Sequence, residues 1–306
     1  MARFGPYSVD LDNLDKVFFP DAGITKGDVL DYYRDMAEVM ATHLQERPLA
    51  LERFPDGIDT DGFFQQDCPD YFPDWIDTVK TERRDQSEKA SPVRHVICAT
   101  EACLAYLANQ GVITLHGWLA RAPKIDRPDK LIFDLDPPGD DFAPVKQAAR
   151  QVRELMETLG LNPYVMTTGS RGLHVMAPLA RDDDFDTVRA LASDMASHLA
   201  ERYPDALTTE QRKAKRKGRV YLDVMRNAYG QTTVVPYTLR AKPGAPVATP
   251  LHWDELESGD LDSQSYDLRN IRRRLGQMDD PWAGVSREGR GIDAVRASLD
   301  RLRNDD

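Results

Sequence analysis

The apolar positions fall into two rhythms along the chain. Val29, Tyr32, Tyr33, Met36, Val39, Met40 and Leu44 recur at spacings of three and four, the repeat of an amphipathic helix. Thr25 precedes them as an N-cap, with Asp28 three residues on, so the pattern predicts one helix from Thr25 to about Gln45. Further helices are predicted over 99–110, stopped by Gly111, over 142–159, closed by Gly160, and over Phe185–Arg202. Apolar runs predict strands at 131–136, 164–168, Leu173–Pro178 and 220–225. The first stops at Pro137-Pro138-Gly139, and Gly169-Ser170-Arg171-Gly172 joins the next two into a hairpin.

Residues 53–75 read as loop, with Pro55-Asp56-Gly57 and Asp61-Gly62 turns flanking Phe63 and Phe64. The segment 244–250 reads as a Pro-containing connector, 269–275 as a short basic helix and 291–306 as a loose charged tail. No internal repeat is evident, and 306 residues suit one large domain or two small ones. A length of 306 residues at 41% hydrophobic supports a sizeable core, which excludes a disordered chain. The net charge of −11 excludes a global basic field, so a nucleic-acid partner must be held by a local patch. Cys68, Cys98 and Cys103 contain no C-x-x-C pair, which points to a reducing compartment. The amino terminus lacks the apolar core of a signal peptide, and no run approaches the roughly 20 apolar residues of a membrane span. A cytoplasmic location follows as the expectation.

Candidate chemistry gathers in the middle of the chain. On a strand, Asp134 and Asp136 project from the same face. Two carboxylates sharing a face repel each other unless a cation sits between them. A hard divalent ion with oxygen ligands suits such a pair, and the buried strand implied by Leu131-Ile132-Phe133 favours that over two ordinary surface aspartates. Asp223 lies on the 220–225 strand with Arg219 and Tyr221, opposite a core face of Val220, Leu222 and Val224. Brought beside the first pair it completes a two-metal site; alone, it reads as a surface aspartate. The segment Thr167-Thr168-Gly169-Ser170-Arg171-Gly172-Leu173-His174 offers hydroxyl and backbone donors to an anion, with charge from Arg171 and His174. An ordinary glycine hairpin with a satisfied histidine is the competing reading, and His116 reads equally as a strand-end histidine. The run 212–219, which includes Arg216, is the densest basic stretch and the place for a phosphate backbone. Adjacent Phe63 and Phe64 cannot readily be buried together, so one is expected to present a face for base stacking.

Phe133-Asp134-Leu135-Asp136-Pro137, Gly169-Ser170-Arg171-Gly172-Leu173-His174 and the late aspartate segment ending in Pro236-Tyr237-Thr238-Leu239-Arg240 resemble, in that order, the polymerase module of bacterial ligase D. That module belongs to the archaeo-eukaryotic primase superfamily, and the likeness runs from Leu11-Asp12-Asn13-Leu14-Asp15-Lys16 to about Glu255. The resemblance implies a mixed α/β (α+β) fold with a largely antiparallel central sheet flanked by helices, in a single compact domain over 1–290. It implies two divalent ions, Mn2+ or Mg2+, on Asp134, Asp136 and Asp223. It assigns the incoming nucleotide to His116, Thr168, Ser170, Arg171 and His174, and the triphosphate or primer end to Arg226, Arg240 and Lys242. Thr168 stands where relatives carry a serine and keeps the hydroxyl. Asn13, Lys16 and Lys26 match residues that receive a 5′-phosphate, Phe63 and Phe64 match aromatics that stack on the template side, and Arg53 holds a neighbouring basic position.

The implied activity is extension of a primer 3′-hydroxyl at DNA breaks and gaps from nucleoside triphosphates, ribonucleotides preferred. Ku and a ligase are the implied partners, and association with the nucleoid during repair is the implied setting. The nearest approach to a ligase K-x-D-G motif is Lys124-Ile125-Asp126-Arg127, with arginine in place of the glycine. The chain therefore reads as a stand-alone relative or an excised module. Two other classes compete. A D-x-D phosphohydrolase needs its first aspartate near the start of a domain, whereas Asp134 comes late. A non-catalytic DNA-end-binding module would use the basic run and the phosphate lysines without consuming nucleotide.

Overall fold

Thr25 caps the first helix as its position predicts. Its hydroxyl accepts the Asp28 N–H at 3.2 Å, and the Asp28 carboxylate accepts the Thr25 N–H at 2.7 Å, closing a capping box. The computed structural model describes residues 1–83 and 91–305. Strands β1 (Ala2–Phe4), β2 (Tyr7–Val9), β3 (Val17–Phe19) and β4 (Ile24–Thr25) lead into helices α1 (Lys26–Asp35) and α2 (Ala37–Leu44). Then come β5 (Pro48–Arg53), β6 (Phe63–Gln65), β7 (Thr78–Thr81), β8 (Val93–Ile97), α3 (Glu101–Asn109) and β9 (Val112–Trp118). The middle holds β10 (Lys130–Asp136), α4 (Ala143–Thr158), β11 (Tyr164–Thr167), β12 (Leu173–Pro178), α5 (Phe185–Arg202), β13 (Leu207–Thr208) and β14 (Val220–Asp223). Last are β15 (Thr232–Val234), β16 (Pro250–Leu251), α6 (Ile271–Leu275) and α7 (Asp293–Asp305).

Read from its sequence as one domain over 1–290, the chain divides into two compact units. Met1–Pro123, Thr232–Ala248 and Tyr266–Met278 make the first; Lys124–Gln231, Thr249–Ser265 and Asp279–Asp306 make the second. Each is built on its own six-stranded sheet. The fold is a mixed α/β one in which every strand pairing is antiparallel except that of β13 with β14.

In the first unit the order is β15-β9-β5-β8-β7, with β6 also pairing with β5. The single helix expected to run to Gln45 breaks at Met36, whose ψ of −4° turns the chain between α1 and α2. Both pieces still bury their apolar stripe: Val29, Tyr32, Tyr33, Met40 and Leu44 belong to one core. The α1 tyrosines fix a distant segment. Tyr32 Oη donates to the Tyr237 carbonyl at 2.7 Å, and Tyr33 Oη lies 3.0 Å from Thr238 Oγ1. The 244–250 stretch, read as a connector, is buried from Ala245 through Pro250. Its chain is tied by Tyr237 N–H to Ala248 O (2.7 Å) and Ala248 N–H to Thr238 O (3.0 Å). Phe63 and Phe64, placed in a loop by their turn signals, form β6 instead, because β5 offers an edge to pair with. All three cysteines are buried and unbridged. No helix among the described residues is long and apolar enough to cross a membrane.

The second unit's sheet runs β13-β14-β10-β12-β11-β16, with α4 on β12 and α5 on β10. Leu131, Phe133 and Leu135 of β10 are fully buried, as the apolar run predicts. One side chain locks β10 to the turn after β14. Asn227, buried to 1%, accepts the Ile132 N–H (2.9 Å) and donates to the carbonyls of Ile132 (2.7 Å) and Val224 (2.8 Å). The tail expected to be loose forms α7. Ile292, Val295 and Leu299 bury an apolar stripe, and Arg296 pairs with Asp194 of α5 at 3.0 Å, contacts that the charged tail composition conceals.

Asn227→Ala strips both backbone groups of buried Ile132 of their partner and is expected to cost about 3 kcal/mol. Urea denaturation checks this, and a loss below about 1 kcal/mol contradicts the lock.

Candidate active site

Asp134 sits at the centre of the second unit's sheet, and its neighbours are set by register. On one side β14 places Asp223 directly opposite Asp134, with Tyr221 opposite Asp136. On the other side β12 places His174 opposite Asp134. The three aspartates singled out in the sequence are therefore brought together, although Asp223 follows Asp134 by most of a unit. Like charges directly opposite on a sheet repel. Burial first, then the Asp134 charge, pushes the Asp136 carboxyl above its ordinary value. Asp223 is raised as well, by burial above all, against the 2.8 Å hydrogen bond from Met225 N–H.

The cations facing this cluster stand back. His174 Nε2 is 3.4 Å from Asp134, Arg226 Nε 3.6 Å from Asp134, and Arg216 Nη1 3.7 Å from Asp136. These arginine separations exceed those of charge-assisted hydrogen bonds. The donor set is hard oxygen on a negative face, and it fits a divalent cation of the Mg2+ or Mn2+ kind. The carboxylates are not drawn into a closed cage: among the described residues, no three His, Cys, Asp or Glu side chains stand in metal-holding geometry.

The hairpin between β11 and β12 abuts the end of β10. A Cβ on Gly172 would lie 2.1 Å from the Leu135 carbonyl oxygen, so only glycine permits this approach. Thr168 folds the turn: its hydroxyl donates to Gly172 O (3.1 Å) and accepts from the N–H groups of Ser170 and Gly172, each at 3.3 Å. The Ser170 carbonyl accepts from Ser263 Oγ and Gln264 Nε2, both at 2.8 Å. Beside the turn lies a cavity of about 250 Å3, lined by Pro137, Gly139, Phe142, Ser170, Arg171 and Ser263. Arg171 is exposed, whereas His174 is buried with its Nδ1 unpartnered among the described residues.

The basic run divides by role. Arg216 donates to the carbonyls of Glu210 (3.2 Å) and Gln211 (3.0 Å) and lies over the Tyr221 ring at 4.1 Å. It works as a strut beside Asp136, while Arg212, Lys213, Lys215 and Lys217 remain exposed.

The remaining sequence-selected residues lie in the first unit. His116 on β9 faces Glu52 at 3.3 Å and the Phe64 ring at a centroid distance of 5.1 Å. Phe63 and Phe64 are 46% and 61% exposed, so both rings, and not one alone, are open to stacking. Arg53 is buried: it donates to Gln110 O (3.0 Å), Gln65 Oε1 (2.6 Å) and Tyr71 Oη (2.9 Å) and lies 5.3 Å from the Phe63 ring. Its guanidinium thus supports the aromatic strand. Arg240 and Lys242 are half-buried beyond β15, positioned by the bonds Arg240 N–H to Pro246 O and Lys242 N–H to Arg240 O, both 2.8 Å.

Asn13, Lys16 and Lys26 do converge, at the start of α1. Lys16 N–H bonds Asn13 O (3.0 Å), and Lys26 N–H bonds Lys16 O (2.8 Å). Lys16 Nζ pairs with Asp56 at 2.7 Å, and buried Lys26 Nζ pairs with the Asp12 carboxylate, whose pKa its hydrogen bond lowers. Asp12 and Asp56 stand in motif and turn segments without a role assigned to them, and Glu52 and Asn227 carry no motif. Only Glu52, a carboxylate amid the apolar Leu49-Ala50-Leu51, leaves a local signal.

A sheet that brings carboxylates from two interior strands together, beside a donor-rich glycine turn, is a framework suited to nucleotidyl transfer. The model of the family described as LigD, primase-polymerase domain, matches residues 25–282, and the chain belongs to that family of polymerases. It is 34% identical over 275 residues to the multifunctional non-homologous end joining protein LigD of Mycolicibacterium smegmatis, covering 89% of this chain and 35% of that protein. To the LigD of Pseudomonas aeruginosa it is 30% identical over 308 residues, covering 98% of this chain and 36% of that protein. The chain thus spans about a third of the length of these relatives. A solved polymerase domain from Mycobacterium tuberculosis Ligase D, in complex with DNA, superposes with a TM-score of 0.85 at 30% identity over 92% of this chain and 99% of that one.

Asp223→Asn keeps the bond from Met225 N–H and removes one of two facing charges. In metal-free buffer at pH 7 it is expected to stabilise the fold by about 0.5 kcal/mol. Chemical denaturation measures this, and destabilisation contradicts the repulsion.

Proposed function

We propose that the chain is a DNA-directed nucleotidyltransferase that extends primers and fills gaps at double-strand breaks in non-homologous end joining, with ribonucleotides preferred. The observation that carries the reading is the register that sets Asp223 against Asp134, beside Asp136 on the same face. Support comes from relatives named as end-joining proteins and from a structural neighbour described in complex with DNA.

Asp134, Asp136 and Asp223 would hold two divalent ions, Mn2+ or Mg2+. Held there, such ions would supply Lewis acidity to lower the effective pKa of the primer 3′-hydroxyl and positive charge to offset that developing on the triphosphate. The chain's own groups bind and orient. Arg171 and His174, with Thr168 and Ser170 shaping their turn, receive the nucleotide in the second unit, and Arg226 serves the triphosphate or the primer end. In the first unit, His116, Arg240 and Lys242 are cationic candidates for phosphate groups. Phe63 and Phe64 stack on template bases, with Arg53 beneath them. Asn13, Lys16 and Lys26 receive a 5′-phosphate, which must compete with Asp12 and Asp56 for the two ammonium groups. The exposed cations around Arg216 follow the phosphate backbone. Ku and a ligase are the partners this role calls for, in the cytoplasm at the nucleoid.

The test is incorporation of labelled nucleotide into a gapped, 5′-phosphorylated duplex. Wild type extends it with Mn2+ or Mg2+ and stops on chelation, whereas Asp134→Ala loses at least about 1,000-fold in rate and still binds the duplex. Equal extension by wild type and Asp134→Ala overturns the reading. Phosphate release from a small ester without primer favours a hydrolase instead.

A further inference from the structure

Glu52 lies in the run Leu49-Ala50-Leu51, whose three apolar side chains are almost completely buried. A carboxylate in such a strand costs free energy unless it is compensated. Register shows what it serves. Ala50 pairs with His116 and Glu52 with Thr114 across β5 and β9, which makes Glu52 and His116 diagonal neighbours on one face. On its other side Glu52 is the partner of Phe64 on β6, and the Phe64 ring lies against the same imidazole. Glu52 Oε2 stands 3.3 Å from His116 Nε2, with the two side chains only 20% and 13% exposed.

Resting on the assignment of His116 to the triphosphate, we propose that Glu52 is a positioning residue that holds the His116 imidazole oriented and positively charged for the nucleotide's anionic phosphates. The electrostatics agree. Burial alone would push the Glu52 carboxyl up, yet the His116 hydrogen bond, the Thr114 hydroxyl and then the His116 and Arg240 charges bring it below its ordinary value. An attraction that favours the carboxylate favours the imidazolium equally. Among the described residues, Arg240, beyond β15, also acts on Glu52, and Glu52 in turn acts on Tyr33 of α1. Burial holds the Tyr33 phenol neutral by raising its pKa. Arg240 opposes a second positive charge nearby, and the Glu52 carboxylate counters that opposition.

The experiment uses the whole protein and the isosteric Glu52→Gln. Nuclear magnetic resonance follows the His116 ring through a pH titration without nucleotide, and primer extension gives KM and kcat for the nucleotide. The His116 pKa is expected to fall by about one unit, and KM to rise about tenfold with kcat changed less than about twofold. In a His116→Gln background, adding Glu52→Gln is expected to change KM no further, which separates positioning from general support of the strand. An unmoved His116 titration, or a loss confined to kcat, overturns the proposal. A wild-type protein that extends no primer removes the proposed function instead, and the titration still decides whether Glu52 governs the imidazole.

Discussion

The electrostatic opposition of Asp134 and Asp223 is the constraint on which the second unit turns. It exists only because β14 pairs with β10 in one register. Side chains alternate along a strand, so a slip of one residue would turn Asp223 to the other face and destroy the cluster. The register is held against that repulsion by apolar burial of Leu131, Phe133, Leu135 and Leu222 and by the Asn227 lock. Placing like charges opposite each other costs stability, and apolar burial and the Asn227 hydrogen bonds offset that cost.

A second regularity runs through the cations. Lys16 is paired with Asp56, Lys26 with Asp12 and His116 with Glu52, and Arg216 faces Asp136. In a chain of net charge −11, such pairing orients the positive groups before any phosphate arrives. Under the proposed function, phosphates would compete with carboxylates for them, and nucleic-acid affinity would fall steeply with salt.

What was legible in the sequence was local. The Thr25 cap, the α5 boundaries and the hairpin of β11 and β12 follow from spacing and turn residues within a few positions. The D-x-D pair needed only the alternation of one strand. Other features depend on contacts distant in sequence. Met36 breaks a helix whose apolar repeat is continuous, because both pieces follow one core. Phe63 and Phe64 become a strand because β5 has an edge to offer. The α7 stripe of Ile292, Val295 and Leu299 needs packing to reveal it amid charge. Arg53 and Arg216 look like phosphate ligands by type, and only their carbonyl partners reveal them as struts. The likeness of ordered motifs supplied the placement of Asp223, which periodicity alone left as a surface residue.

The central claim is that carboxylates from two strands serve one cation site. The most direct measurement is a crystal structure of this chain with Mn2+ and a non-hydrolysable nucleoside triphosphate, with metal located by anomalous scattering. The account predicts anomalous density touching Asp134, Asp136 and Asp223 together, with Arg216 and Arg226 drawn away from the carboxylates. Metal bound elsewhere, or on Asp134 and Asp136 with Asp223 uninvolved, would contradict it.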